Sequence, residues 1–231
     1  MSQKNKYGIH CPKCGEAQQV ELFDSLNIGE DPSLKDDLLA NKINVVACTG
    51  CEFNYRVDKN LLFHDPDNNL MIYLFNAPIE GVEAAQKEFL TTVQALNQAI
   101  PADVETPELH LVLSRTELVE RIFLHETGLN DRIIEYIKCQ IYANHLDEIP
   151  PQAKALLFNA EDSTADNLCF VVQHVESEKL EGMIEYRREA YDAYIEMFEK
   201  DDEVGNIFEM FPGPYISARA LLLSREKANE G

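Results

Sequence analysis

The chain has 231 residues, of which 45% are hydrophobic and 26% charged, so it can form one large domain or two small ones, each with a real core. Its 20 Lys and Arg against 41 Asp and Glu give a formal net charge of −21, which argues against direct binding to nucleic-acid phosphates. No apolar run is long enough to span a bilayer, and the polar start MSQKNKYGIH does not resemble a signal peptide. We therefore expect a soluble protein in the cytoplasm, without membrane contact.

The acidic excess lies mainly after residue 60. Residues 1–60 carry 7 basic and 9 acidic side chains, whereas residues 61–231 carry 13 basic and 32 acidic ones. The simplest interpretation is a solvated surface that keeps the protein soluble. A basic protein partner and mimicry of nucleic acid are the alternatives. The sequence does not define the oligomeric state.

The first 78 residues have the composition of a β-rich module. Its strand-like segments, rich in β-branched and aromatic residues, are KYGIH, AQQVELF, NVVAC, FNYRV, LLFH and NLMIYLF. The sequence DPDN between the last two is typical of a turn and predicts a hairpin over residues 61–75. One helix interrupts the strands. Asp31 can cap this helix, Pro32 suits its first position, and it should end near Asn41.

Helical periodicity predominates in residues 79–149. The segment VEAAQKEFLTTVQALNQAI predicts a helix, and ELHLVLS predicts a short strand. Ser114 and Glu117 have the spacing of a capping box and should open a further helix, on which Glu117 and Arg121 form an exposed ion pair. Asn130 can cap the helix that follows, DRIIEYIKCQIYANH.

Pro150 and Pro151 mark the clearest boundary in the chain because they break any helix that reaches them. After them, KALLFNA and NLCFVVQHV predict two strands. The pattern then predicts a long helix over about 178–200, with Met183 and Ile184 facing inward, and YISARALLLSREK predicts a closing helix. The predicted fold is α+β, with a zinc-ribbon-like module at 1–78, a helical continuation at 79–149 and an α+β region at 150–231.

Four of the six cysteines form two C-x2-C pairs, Cys11 with Cys14 and Cys48 with Cys51. In a C-x2-C turn, here called a knuckle, backbone N–H groups donate to sulfur and both thiolates point at one centre. Two knuckles supply the four ligands of a tetrahedral zinc site, and four sulfur ligands leave no open coordination position. Paired spacing in a chain of cytoplasmic type favours metal binding over disulfides. The pattern therefore predicts a structural zinc ion.

Two other uses of the cysteines are weaker alternatives. Iron of the rubredoxin type also accepts four sulfur ligands. Thioredoxin-like redox chemistry requires a single pair at the N-terminus of a helix, whereas both pairs here are flanked by predicted strands. Gly15 suits the positive φ that follows a knuckle, but Glu52 occupies the equivalent position after Cys51. Cys139 and Cys169 lie in apolar segments and are interpreted as core residues.

The segments CPKCG, DSLNIGEDPSLKDDLL, CTGC and LLFHDPDNNLMIY occur in this order, and together they resemble the CpXC domain family of bacteria and archaea. The segment ELVERIFLHETGLNDRIIEYIK resembles the helical part that follows in such proteins, so the resemblance covers residues 9 to about 138. The second motif lacks the proline of the family pattern, so only its cysteines carry over. The resemblance implies a metal-binding module with Cys11, Cys14, Cys48 and Cys51 as ligands, and it implies no catalytic residue.

One further stretch could form a polar site. His64, Asp65 and Asp67 of FHDPDNN could line a pocket between the ribbon and the helical body, which would indicate an enzyme of unknown reaction. A hairpin turn whose aspartates cap backbone N–H groups is the favoured interpretation. The corner LHETGLNDR is likewise interpreted as helix capping with short-range ion pairs. No established catalytic motif is present.

The leading hypothesis from sequence is a structural-zinc protein whose acidic body serves protein interaction, as an adaptor, rather than catalysis. The alternatives are an enzyme with a pocket near His64 and a nucleic-acid adaptor of the zinc-ribbon type. The net charge of −21 disfavours the nucleic-acid adaptor.

Overall fold

The computed structural model describes residues 2–99, 107–200 and 206–230. The chain divides into two compact units, Met1–Val119 and Glu120–Gly231. Seven helices and ten strands among these described residues confirm the predicted α+β class. Within the described ranges, no helix combines the length and the apolar character needed to cross a membrane. The three regions predicted from the sequence rest on residue patterns, whereas these two units rest on contacts between residues. The predicted boundaries therefore stay predictions.

The first unit is built on a mixed sheet of five strands in the order β1-β2-β5-β6-β7, and β3 and β4 pair separately. The strands are β1 (Gln3–His10), β2 (Ala17–Asn27), β3 (Val45–Ala47), β4 (Asn54–Arg56), β5 (Leu61–Asp65), β6 (Leu70–Leu74) and β7 (Glu108–Val112). The helices are α1 (Ser33–Leu39), α2 (Val82–Ala99), which follows a 3-10 turn at Ile79–Gly81, and α3 (Arg115–Glu126), which continues into the second unit.

The strands of this sheet pair in two directions. β1 with β2 and β5 with β6 are antiparallel, whereas β2 with β5 and β6 with β7 are parallel. The predicted hairpin is confirmed, with Phe63 opposite Ile72. Both side chains are fully buried, and burial alternates along both strands, as expected for strands with one face on the core.

Helix α1 begins at Ser33, one residue after the predicted first position, Pro32, and α3 begins directly after Ser114, the predicted cap. Asp31 Oδ1 accepts the N–H of Ser33 at 3.2 Å, so this carboxylate caps the first turn of α1. At the start of α3, Ser114 Oγ accepts the N–H of Glu117 at 3.2 Å. The Glu117 carboxylate accepts the N–H of Leu113 at 2.8 Å, one residue before the position that a standard capping box would use.

The second unit packs four helices against an antiparallel sheet in the order β10-β9-β8. Asn130 Oδ1 caps the first of these helices by accepting the N–H groups of Arg132 and Ile133 at 3.0 and 3.2 Å. The elements are α4 (Asp131–Asn144), β8 (Lys154–Asn159), β9 (Asn167–His174), β10 (Leu180–Arg187), α5 (Arg188–Lys200), α6 (Ile207–Met210) and α7 (Ala218–Glu230).

The predicted helix over 178–200 is wrong in its first half. Residues 180–187 form β10, which pairs with β9, and helix α5 begins only at Arg188. Within β10, Ile184 and Tyr186 are half-buried against the core while their neighbours are exposed, which is the two-residue period of a strand. Met183, predicted to face inward, is 51% exposed. Pairing with β9 outweighs local propensity here, and Gly182 lowers the helix propensity of the segment.

A cluster of charged side chains is buried in the second unit. Lys138 Nζ lies 2.6 Å from Glu120 Oε1 and 2.7 Å from Glu135 Oε1, and each of these side chains is only 4% exposed. Both carboxylates also accept a backbone N–H group, Glu120 on the oxygen that faces Lys138 and Glu135 on its other oxygen. Phe158 N–H donates to Glu120 at 2.5 Å, and Ala218 N–H donates to Glu135 at 2.7 Å. The cluster therefore ties α3 and α4 to β8 and to the start of α7.

Arg121 was expected on the surface, and this expectation is wrong. Its side chain is buried, pairs with Asp131 at 2.9 Å and donates to the Ile216 carbonyl at 3.2 Å. The neighbouring Glu120 is buried as well. This face of α3 therefore lies against protein, where the sequence spacing alone indicated solvent.

Candidate metal centre

Each knuckle is the turn of an antiparallel hairpin. Cys11 and Cys14 lie between β1 and β2, which close on the pair His10 and Ala17. The second knuckle lies between β3 and β4. Neither pair lies at the N-terminus of a helix, which agrees with the rejection of a thioredoxin-like site. The segment between the knuckles holds β2, α1 and β3, as the expected helical insertion requires.

The first knuckle is held by three hydrogen bonds around Cys11. The Cys11 N–H donates to the Glu16 carbonyl at 2.9 Å, and the Gly15 N–H donates back to the Cys11 carbonyl at 2.9 Å. The Lys13 N–H donates to Cys11 Sγ at 3.4 Å. This turn gives one sulfur a backbone donor, which stabilises a thiolate.

The second knuckle repeats this arrangement at the same sequence offsets. The Cys48 N–H donates to the Phe53 carbonyl at 2.9 Å, and the Glu52 N–H donates to the Cys48 carbonyl at 2.9 Å. The Gly50 N–H donates to Cys48 Sγ at 3.3 Å. The two knuckles are therefore copies of one structure, although only the first has the glycine expected after its second cysteine.

The residue after each second cysteine has a positive φ. Gly15 has φ of 78° and Glu52 has φ of 57°, so both lie in the left-handed region. A side chain with a Cβ atom is strained in this region, by about 1–2 kcal/mol. Glu52, in place of a glycine, therefore strains the second knuckle, although the knuckle keeps the same hydrogen bonds as the first.

Replacing Glu52 by glycine and replacing Gly15 by alanine should change the stability of the protein in opposite directions. Glu52→Gly should stabilise the metal-loaded protein by about 0.5–1 kcal/mol, because it removes the strain but increases the freedom of the unfolded chain. Gly15→Ala should destabilise it by about 1–2 kcal/mol. A Cβ at Gly15 would meet no atom within 4 Å, so this effect is purely conformational. Urea unfolding of both variants measures it, and a loss of stability in Glu52→Gly would contradict the expectation.

The four sulfur atoms come together in one cluster. They all lie within 4.8 Å of one another, with Cys14 Sγ at 3.5 Å from Cys48 Sγ and Cys11 Sγ at 3.8 Å from Cys51 Sγ. A tetrahedron with Zn–S bonds of about 2.3 Å has S···S edges of about 3.8 Å. The donor set therefore fits a tetrahedral metal ion. Among the described residues, no other group of three or more histidines, cysteines and carboxylates comes together in this way.

The sulfurs differ in their protonation in the absence of a cation. Burial opposes ionisation of Cys11, but the N–H groups of Cys14 and Lys13 and the neighbouring thiols outweigh it and lower the pKa of Cys11 to about 7. The N–H of Glu16 favours the Cys14 thiolate, but the surrounding sulfurs and burial raise the pKa of Cys14 to about 12. One thiolate therefore forms readily and opposes the formation of others. A bound cation would remove this repulsion.

The two knuckles are also joined directly to each other. Gln18, on β2, accepts the Thr49 N–H at 2.9 Å and donates to the Ala47 carbonyl at 3.2 Å. The knuckles approach so closely that a Cβ on Gly50 would lie 3.2 Å from Glu16 Cγ. These contacts position the second pair of sulfurs against the first.

The aromatic side of the cluster contains a buried hydroxyl. Phe53 and Tyr55, on the chain that leaves the second knuckle, lie with nearly parallel rings at a centroid distance of 6.1 Å. The Lys13 ammonium lies 5.4 Å from the centre of the Phe53 ring. Tyr55 Oη has no solvent exposure and no hydrogen-bond partner among the described residues. From its sequence, Tyr55 is predicted only to lie in a strand, because the strand pattern does not indicate where its hydroxyl lies.

His64, Asp65 and Asp67 do not converge. His64 and Asp65 are neighbours on β5, so their side chains point to opposite faces of the sheet. Asp65 is buried and accepts the backbone and side-chain N–H groups of Asn68 at 3.3 and 2.7 Å, and Asp67 is exposed in the turn. Burial lowers the pKa of His64. This geometry is that of a capped hairpin.

The other residues singled out in the sequence have structural roles. Asn130 caps α4, and Asp131 pairs with Arg121, as expected for a helix corner. Cys169 is buried, and its thiol lies 3.0 Å from the Asp162 carbonyl. Cys139 is half-buried, and burial raises its pKa to about 12, so its thiol is poorly nucleophilic.

Fold and site together define an α+β protein with a four-cysteine cluster, carried on two equivalent knuckles, that could hold a metal ion. Its residues 9–138 match a family model described as CpXC protein. This match covers more than half of the chain, and the protein belongs to the CpXC family. No curated protein and no solved structure matches the chain.

Proposed function

We propose that Cys11, Cys14, Cys48 and Cys51 hold one structural zinc ion that stabilises the knuckle-bearing part of the first unit. The observation that carries this proposal is the convergence of four sulfurs within 4.8 Å of one another on two knuckles with the same hydrogen bonds. A zinc ion with four sulfur ligands has no open position for water or substrate, so the role is structural. Bound to thiolates, the ion would offset the mutual repulsion of the sulfurs and release their protons.

Zinc is preferred to iron for two reasons. Both ions accept four thiolate ligands in a tetrahedral site. Zinc does not change its oxidation state, which suits a purely structural role. The site also lies partly at the surface, since Cys14 is exposed and Cys51 is half-buried. An iron ion at such a site can change its oxidation state, whereas a zinc ion cannot.

Metal analysis of the purified protein tests the proposal. Protein produced without added metal and purified without chelators or metal resins should contain one zinc ion per chain by inductively coupled plasma mass spectrometry. One iron ion per chain would support a metal site at these cysteines but would contradict zinc as its metal. Protein with intact thiols and less than a tenth of an equivalent of any transition metal would overturn the proposal.

The wider role that we propose is protein interaction in the cytoplasm, through the acidic part of the chain. The support is the distribution of charge, with 32 acidic against 13 basic side chains in residues 61–231. Such a surface favours a basic protein and repels nucleic acid. An enzyme site at His64 lacks support, because His64, Asp65 and Asp67 do not converge. Partners that co-purify at low salt and dissociate at high salt are expected, and their identification by mass spectrometry is the test.

A further inference from the structure

The Tyr55 hydroxyl is in an unfavourable state in this structure. Tyr55 lies on β4 opposite Val46 of β3, and its ring is half-buried while its Oη atom is fully buried. No hydrogen-bond partner for this atom exists among the described residues. A buried hydroxyl without a partner costs about 1–3 kcal/mol, so such groups are rare and call for an explanation.

The position of Tyr55 relates this hydroxyl to the cysteine cluster. β3 leads into the second knuckle and β4 leaves it, so the pair of Val46 and Tyr55 is the central pair of the hairpin that carries Cys48 and Cys51. Cys11 and Cys48 form the buried side of the cluster, at 3% and 2% exposure. The pairing continues to Cys48, whose N–H donates to the Phe53 carbonyl, so Cys48 and Tyr55 lie on the same face of this hairpin. Burial first, and then the charges of the cysteines, raise the pKa of Tyr55, as expected for a hydroxyl near the cluster.

We infer that Tyr55 is a positioning residue of the metal centre, whose hydroxyl donates a hydrogen bond to a buried thiolate, Cys11 or Cys48, when the metal is bound. This inference rests on the proposed function. This hydrogen bond would give the buried Tyr55 hydroxyl an acceptor and would give the thiolate a second donor.

The electrostatics of a metal-bound cluster favour such a donor. Four thiolates around a divalent cation leave two negative charges in excess, and hydrogen bonds to sulfur disperse this charge. Cys11 and Cys48 each accept one backbone N–H in the structure. A thiolate has further lone pairs that can accept. Burial and the nearby cysteines raise the pKa of Tyr55, so its proton is retained for donation at neutral pH.

Cobalt substitution of the full chain provides the test, because sulfur-to-Co2+ charge-transfer absorption reports hydrogen bonding at sulfur. Tyr55→Phe keeps the ring and removes only the hydroxyl. Without the hydrogen bond the sulfur electrons lie higher in energy, so the charge-transfer band should move to lower energy than in the wild type. Competition with a chromophoric chelator should show zinc binding weakened by about tenfold or more, the usual effect of losing a partner of a metal ligand.

Tyr7→Phe is the matched control. Tyr7 lies in the same unit, and its hydroxyl donates to Asp24 at 2.6 Å and accepts from Lys59 at 3.1 Å. This variant should lower the unfolding midpoint of the loaded protein and leave the absorption band unchanged. If Tyr55→Phe also leaves the band unchanged, with or without a loss of affinity, the inference is overturned and the zinc proposal stands. If the wild type gives no thiolate–Co2+ absorption, the zinc proposal fails, and the inference fails with it.

Discussion

Cys48→Ser is expected to abolish stoichiometric zinc binding and to unfold the knuckle-bearing part of the first unit. Cys48 is 2% exposed, so the serine hydroxyl would be buried among three remaining thiols and cannot replace the thiolate. Structural zinc contributes about 10–16 kcal/mol of apparent binding free energy in zinc-finger peptides. This is as large as the whole stability of a typical domain, about 5–15 kcal/mol.

The local structure explains why the loss should be large. β3 and β4 have only three residues each, and among the described strands they pair only with each other. A two-stranded hairpin of this length is not stable in water by itself. Apart from the proposed metal ion, its contacts with the first knuckle are the hydrogen bonds of Gln18, the close approach of Gly50 to Glu16 and the Lys13 ammonium near the Phe53 ring. Removing the ion leaves only these peripheral contacts.

Hydrogen exchange with mass spectrometry measures this effect. Backbone amides of residues 9–19 and 43–57 should lose protection in Cys48→Ser, and chelation of the wild type should have the same effect. Cys139→Ala is the control, because Cys139 is half-buried and lies outside the cluster. It should keep the metal and the protection of the knuckles. Unchanged protection in metal-free wild-type protein would show that metal binding does not stabilise this region.

The four-cysteine cluster was predictable because its chemistry is local. Two C-x2-C pairs already place two sulfurs each, and the flanking segments have the residue types of strands. Only the approach of the two pairs to each other depends on the tertiary fold. The positive φ of Glu52 was not predictable from its residue type, since glutamate rarely adopts this conformation. It follows from the hydrogen bonds of the knuckle, which fix the backbone irrespective of the side chain.

The features that were missed depend on contacts between distant segments. The residues of β10 have a periodicity that suits a helix, and their pairing with β9 decides the structure. Glu120, Glu135 and Lys138 have the composition of an exposed helix surface, and only the packing of β8 and α7 against them buries them. The partnerless hydroxyl of Tyr55 is likewise set by its surroundings rather than by its neighbours in sequence.

Lys138→Met is expected to destabilise the second unit by about 3–5 kcal/mol. Lys138 lies between Glu120 and Glu135, and methionine fills a similar volume but leaves two buried carboxylates facing each other. Burial disfavours a charged lysine, but these two carboxylates outweigh it and raise the pKa of Lys138. Its stabilising contribution is therefore complete below the unfolded pKa of about 10.4 and is lost only as the pH rises through the higher folded value.

The loss in Lys138→Met should depend on pH. Burial raises the pKa of Glu120 even in the presence of Lys138, and Glu135 adds to this effect. A carboxyl group whose folded pKa is raised contributes stability that is present below its unfolded pKa of about 4.3 and is lost as the pH rises toward the folded value. Without Lys138 the folded pKa of Glu120 rises further, because the neighbouring cation that lowers it is gone. The deficit of the variant should therefore be smaller at pH 5 than at pH 7.5.

Two further variants separate the buried charge from a general effect of losing a lysine. Lys154→Met removes the partner of Glu181 from a pair at 3.1 Å whose side chains are 27% and 31% exposed, and it should cost at most about 1 kcal/mol. Adding Glu120→Gln to Lys138→Met should recover part of the loss, because the amide oxygen can still accept the Phe158 N–H while one buried charge is removed. Urea unfolding at both pH values measures these differences. Equal losses for Lys138→Met and Lys154→Met, independent of pH, would mean that water reaches the cluster and that its charges are not desolvated.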